Sequence, residues 1–213
     1  MTENLNHHYP EKEEKLNVLT HGFGLVLSII AFPFLINKAI GFNEFWDKAS
    51  FIIYGMSLII LYGASTFYHA SKKPKIRRKL NILDHCAIYV LIAGTYSPFC
   101  IVGLSSKLGW YMFIAVWFFA FVGIILKLFF TGKYERLSTL MYLVMGWQVV
   151  VFIKPLLNNL TSFELFYLIL GGVFYSIGAI FYAIEKIKFN HAIFHVFVLL
   201  GSFSHFMAII EMI

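Results

Sequence analysis

Residues 50–70 read SFIIYGMSLIILYGASTFYHA, twenty-one residues without one Asp, Glu, Lys or Arg. Coiled as an α-helix at about 1.5 Å per residue, such a run covers the ~30 Å hydrocarbon core of a bilayer. Six more apolar runs can be drawn around it, at about 19–40, 83–103, 109–130, 137–157, 163–184 and 192–212. The composition agrees: 60% of the 213 residues are hydrophobic, 19% aromatic and only 13% charged. The expectation is an all-α membrane protein, a seven-transmembrane helical bundle. Residues 1–18 form a short N-terminal segment and residues 19–213 a single membrane domain. The run from Leu19 is too long for a signal-peptide core and reads as a retained span.

The connections between runs are short, which implies antiparallel neighbours. Pro33 and Pro98 fall inside spans and are expected to kink them. Trp46, Trp110 and Tyr111, near span ends, fit an interfacial belt. Cys86 and Cys100 lie on one predicted helix about 21 Å apart, too far for a disulfide, which needs Cα atoms within about 7 Å.

Charge sets the expected orientation. With the N-terminus in the cytoplasm, inner segments carry thirteen Lys and Arg, six of them between Lys72 and Lys79. The outer side carries four: Lys38, Lys48, Lys107 and Lys154. Positive charge gathers on the inner side, so the C-terminus is expected outside. The net charge of +6 reports this topology, and no nucleic-acid partner is expected. Lys72–Lys79 is also suited to anionic lipid head groups.

Three polar clusters break the apolar pattern: Ser65 and His69, Asp84 with His85, and His191 with His195. Polar groups at membrane depth are costly and default to function. In the expected topology all three clusters fall in the cytoplasmic leaflet. His191 and His195 are four residues apart and share a helix face, a good start for zinc, which takes imidazole nitrogen at about 2.0–2.1 Å. Ser65 and His69 have the same spacing. Three histidines would leave a fourth tetrahedral position for water, and Asp84 could orient and deprotonate it. Each element has a plainer use alone: His69 as an interhelical hydrogen-bond partner, Ser65 bonded to its own backbone. His21, His85 and His205 compete as ligands or neighbours; His205 is too deep to share the ion, and His7 and His8 read as tail residues. Ala192 follows His191, so the HExxH mechanism is not supported.

The elements NVLTHGFG (Asn17–Gly24), STFYH (Ser65–His69), LDH (Leu83–His85), GTYSP (Gly94–Pro98) and HAIFH (His191–His195), in this order over nearly the whole chain, resemble the haemolysin III family. That family belongs to the progestin and adipoQ receptor group, within a superfamily that includes alkaline ceramidases. The resemblance implies a zinc ion held by His69, His191 and His195, with Asp84 linked through water and Ser65 nearby. It implies hydrolysis of a lipid amide in a multi-pass protein of the cell (plasma) membrane. The short N-terminal region lacks the larger extramembrane domain of the animal receptors. The competing expectations are a non-enzymatic signalling or membrane-homeostasis protein with a structural zinc, and the lytic activity in the family's name. Seven retained spans give lysis little mechanical support.

Overall fold

The computed structural model describes residues 9–131 and 134–212, and every element among them is helical. The tail residues His7 and His8 and the loop residue Lys133 lie outside the described residues. The order is α1 (Glu11–Ile40), α2 (Phe45–Ala70), α3 (Pro74–Pro98) running on into a wide π turn (Phe99–Gly103), α4 (Lys107–Phe130), α5 (Glu135–Gly146), a tight 3₁₀ stretch (Trp147–Phe152), α6 (Ile153–Asn159), α7 (Ser162–Ala183) and α8 (Asn190–Glu211). Among the described residues seven helical segments are long and apolar enough to cross a bilayer, with Leu137–Asn159 acting as one span.

The largest departures from the sequence expectation are two helix starts. α1 begins at Glu11, eight residues before the apolar run. Its acidic first turn, Glu11, Glu13 and Glu14, suits the positive end of the helix dipole. α3 begins at Pro74, so most of the basic stretch Lys72–Lys79 is the first turns of a helix rather than a loop. Proline is well placed there because the first helical residue needs no amide partner. Charge had set both expected boundaries, whereas the backbone of a helix end is satisfied with or without apolar side chains.

The prolines act unevenly. Pro33 lies inside α1 without interrupting it. Pro98 ends α3, and the chain continues as the π turn, closed by Leu104 N–H donating to Phe99 O at 2.9 Å. Gly109 then lets α4 approach: a Cβ there would stand 2.0 Å from the Cys100 carbonyl oxygen. Pro155 lacks the amide that would bond to Val151, and the helix has tightened to 3₁₀ just before it. The fifth span therefore changes helix type along its length, which the apolar run alone does not reveal. α7 starts in a capping box: Glu164 N–H donates to Thr161 Oγ1, and Thr161 N–H to Glu164 Oε2 at 2.6 Å.

The most intimate packing is α1 on α2, α2 on α3 and α7 on α8, with α8 returning to α1. α2, α3 and α8 are the most enclosed spans, with 61%, 72% and 39% of their apolar windows buried against 11–22% for the others. The three polar clusters lie on these three helices. Large side chains such as Phe118, Phe121, Val151 and Phe203 face outward, as a lipid-facing surface requires.

Candidate metal centre

In an up-and-down bundle the start of α1, the end of α2 and the starts of α3 and α8 share one end. There His69, His191 and His195 come together, all buried, each offering a ring nitrogen within 4.8 Å of the others. The Nε2 atoms of His69 and His191 are 3.2 Å apart. Two imidazole nitrogens bound to one tetrahedral zinc ion stand about 3.3 Å apart by the same bond lengths. The group can hold a metal ion.

The outer ring nitrogens support this. His69 Nδ1 is 2.7 Å from Glu14 Oε2. A carboxylate only accepts, so Nδ1 carries the proton and Nε2 presents a bare lone pair. The Asn17 carboxamide stands 3.4 Å from the same nitrogen. Turned with its oxygen toward that proton, it satisfies an Oδ1 that otherwise has no partner. Thr20 donates its hydroxyl proton to Leu16 O at 2.8 Å, so toward His195 Nδ1, 3.3 Å away, it accepts. His195 thus also directs a lone pair inward. His191 Nδ1 meets Tyr9 Oη at 3.0 Å, and the phenol ring stacks on the imidazole at 4.5 Å. Burial pushes the Tyr9 phenol well above its ordinary pKa, so it stays neutral. Metal-bound histidines are oriented in this manner by partners on the other nitrogen; the donor set fits an ion.

Asp84 and Ser65 face the same space. Both line an apolar cavity of about 200 Å³ whose wall also includes His21, His191 and His195. From that end the cavity runs past Ile88 and Leu91 to Phe99, Met112 and Leu168. The Ser65 hydroxyl is buried beside the Asp84 carboxylate. A wider cleft of about 1010 Å³, more polar than the cavity, lies at the bundle end, its lining including Tyr9, Glu13, Asn81, Glu185 and Lys186. Cavity and cleft share Asp84, His85, Tyr182 and His191, together with Thr139, Leu143 and Ala179. His69 lines neither; it is the histidine of the group packed back against α1.

The other histidines separate. His21 stacks on His195 with ring centroids 3.4 Å apart, a neighbour of the cluster and outside its donor set. His85 Nδ1–H donates to Asn81 O at 2.8 Å, within its own helix. His205 Nε2–H donates to Leu168 O at 3.1 Å, far along α8, in a niche a Cβ on Gly171 would fill.

Sequence reasoning missed Tyr9, Glu14, Thr20 and Arg77. Arg77, counted there among surface charges, is 2% exposed and pairs with Glu14 Oε1. Its guanidinium also donates to Tyr68 O at 3.1 Å and lies over the Tyr68 ring. A signal was present: Glu13, Asn17, His21, Gly24 and Ser28 are all buried at helical spacing, a polar stripe that begins inside the supposed tail.

A profile of haemolysin-III related proteins matches residues 9–206. The chain is 46% identical over 199 residues to Hemolysin-3 of Bacillus cereus, covering 93% of this chain and 91% of that one. It is 46% identical to the Hemolysin-3 homolog of Bacillus subtilis (strain 168), covering 93% of each. At 30% identity over 207 residues it is similar to the Monocyte to macrophage differentiation factor of Homo sapiens, covering 92% of this chain and 83% of that one.

Proposed function

Because the chain belongs to the haemolysin-III related family and is a multi-pass membrane protein, we propose that it is a zinc-dependent hydrolase of a lipid amide or related acyl bond. The observation that carries the reading is the meeting of the three-histidine group with an apolar cavity that also bears Asp84 and Ser65. An acyl chain fits the apolar part, and its polar end then lies beside the histidines. A zinc ion held by His69, His191 and His195 would supply Lewis acidity toward a carbonyl and toward water. Asp84 would take the proton of the attacking water as the C–O bond forms, and return it to the leaving nitrogen as the C–N bond breaks. Ser65 donates its hydroxyl to the oxygen on which negative charge develops. His69, His191 and His195 hold the ion in the tautomer their outer partners impose.

The test uses purified protein, zinc-loaded, with labelled N-acyl lipids. Metal-dependent release is expected, falling by about 10²–10⁴-fold in Asp84→Asn. Turnover that survives Asp84→Ala unchanged overturns the mechanism. Metal analysis of the wild type against His191→Ala checks both the ion's identity and its ligand.

A second reading has its own support. The α2 and α8 backbones pack less closely on each other than either does on α1, and meet through long side chains such as Tyr62, which donates to Ser202 Oγ at 2.7 Å. An ion shared by His69 and the α8 histidines would staple them without any chemistry. Chelation would then lower the melting temperature while no lipid is consumed. The Bacillus relatives' names suggest lysis, but seven apolar helices would have to leave one bilayer for another at a cost that scales with their lipid-facing area; lysis forms no part of the proposal.

A further inference from the structure

The three outer nitrogens of the histidine group are all met by one short stretch of chain. Tyr9 meets His191, Glu14 meets His69, and Thr20 meets His195. These partners span the first turns of α1 and the residue pair before it, sequence that carries no metal ligand of its own. Glu14 does more than accept from His69. Its other oxygen accepts from Arg77 of α3 and, at 3.2 Å, from the backbone N–H of Tyr9. One carboxylate thereby fixes a ligand of α2, a cation of α3 and the residue that stacks on His191. Its neighbour Glu13 accepts from the backbone N–H of His191 at 3.3 Å, at the start of α8, where free helix amides need acceptors.

We infer that residues 9–20 are the keeper of the metal site, with Glu14, Tyr9 and Thr20 as positioning residues that present all three Nε2 atoms to one ion and Arg77 holding Glu14 in place. The inference rests on the metal reading above and deepens it. Outer partners of this kind raise the basicity of a ligand and fix its ring, and their loss typically weakens metal binding by about 10–100-fold. Because the same contacts dock the start of α1, ion binding and the ordering of that turn are thermodynamically linked. Metal should tighten residues 9–20, and loosening them should release metal.

The experiment takes the full chain in detergent, stripped by a chelator and titrated with Zn²⁺ against a chromophoric competitor. Parallel samples take Co²⁺ as a spectroscopic probe. Glu14→Gln removes the charge and one carboxylate oxygen, Tyr9→Phe the phenol hydroxyl and Thr20→Val the alcohol, and Glu11→Gln, an exposed residue paired with Lys15 at the surface, is the control. Expected are a loss of Zn²⁺ affinity of about 10–100-fold for Glu14→Gln, smaller losses for the other two, and altered Co²⁺ absorption. Glu11→Gln should match the wild type. If Glu14→Gln does not fold, Tyr9→Phe and Thr20→Val decide. Amide exchange over residues 11–20 should slow on adding Zn²⁺ to the wild type and not to His69→Ala, a response that a merely structural contact would not give. Zn²⁺ affinities within threefold of wild type in all folded variants, or exchange indifferent to Zn²⁺, overturn the inference while leaving the metal reading intact. A wild type that binds neither ion overturns both.

Discussion

At the scale of the residue, Arg77 shows how misleading a charge count can be. Its neighbours in the basic stretch, such as Lys73 and Lys75, face solvent, yet it is among the largest fully buried side chains of the bundle. It sits between Glu14, the Tyr68 and Ser71 carbonyls and the Tyr68 ring. Removing one partner of a buried pair strands the other, at a cost of about 3–5 kcal/mol. Arg77→Ala is therefore expected to lower thermal stability strongly, read by unfolding in detergent. Arg77→Lys should recover only part, because an ammonium cannot reproduce the planar fork. The histidines were legible in the sequence because four-residue spacing is a local property of a helix. Glu14 and Arg77 were not, since their roles depend on partners 55 and 63 residues distant along the chain.

Among elements, the seven spans could be read directly because hydropathy acts on each run alone. Their interruptions could be read only in part. Of the interior prolines, Pro98 ends α3 at the π turn while Pro33 leaves α1 continuous, and the change of helix type in the fifth span falls beside Pro155, near an expected span end. Whether a proline bends its helix depends on what re-satisfies the freed carbonyl, and that lies in neighbouring helices. Helix starts are more local. The Thr161 and Glu164 pair satisfies amides at the head of α7 reciprocally. Thr161→Ala should cost about 1 kcal/mol of stability, measurable as a shift in the unfolding midpoint with activity unchanged.

For the whole molecule, the bundle places the three-histidine group and the basic start of α3 at one end. Counting Lys and Arg proposes that this end is cytoplasmic. Reporter fusions in the loops at 41–44 and 185–189 should then report opposite sides, the first outside and the second inside; the reverse pattern would invert the topology and the leaflet of the site. The agreement of three clusters at one depth was available from sequence once the spans were drawn. Which wall each residue faces was not, because rotation of a helix about its own axis is settled by packing.

The shared wall of Asp84, His85, Tyr182 and His191 between the apolar cavity and the polar cleft makes the centre a step in dielectric constant. Charge appearing on the cleft side is screened by water, while the same charge a few ångströms inward meets hydrocarbon and the fixed dipoles of the protein. An amphiphile lodged there would have its two halves in different solvents, with the reactive bond at the boundary where neither solvent alone sets its polarity.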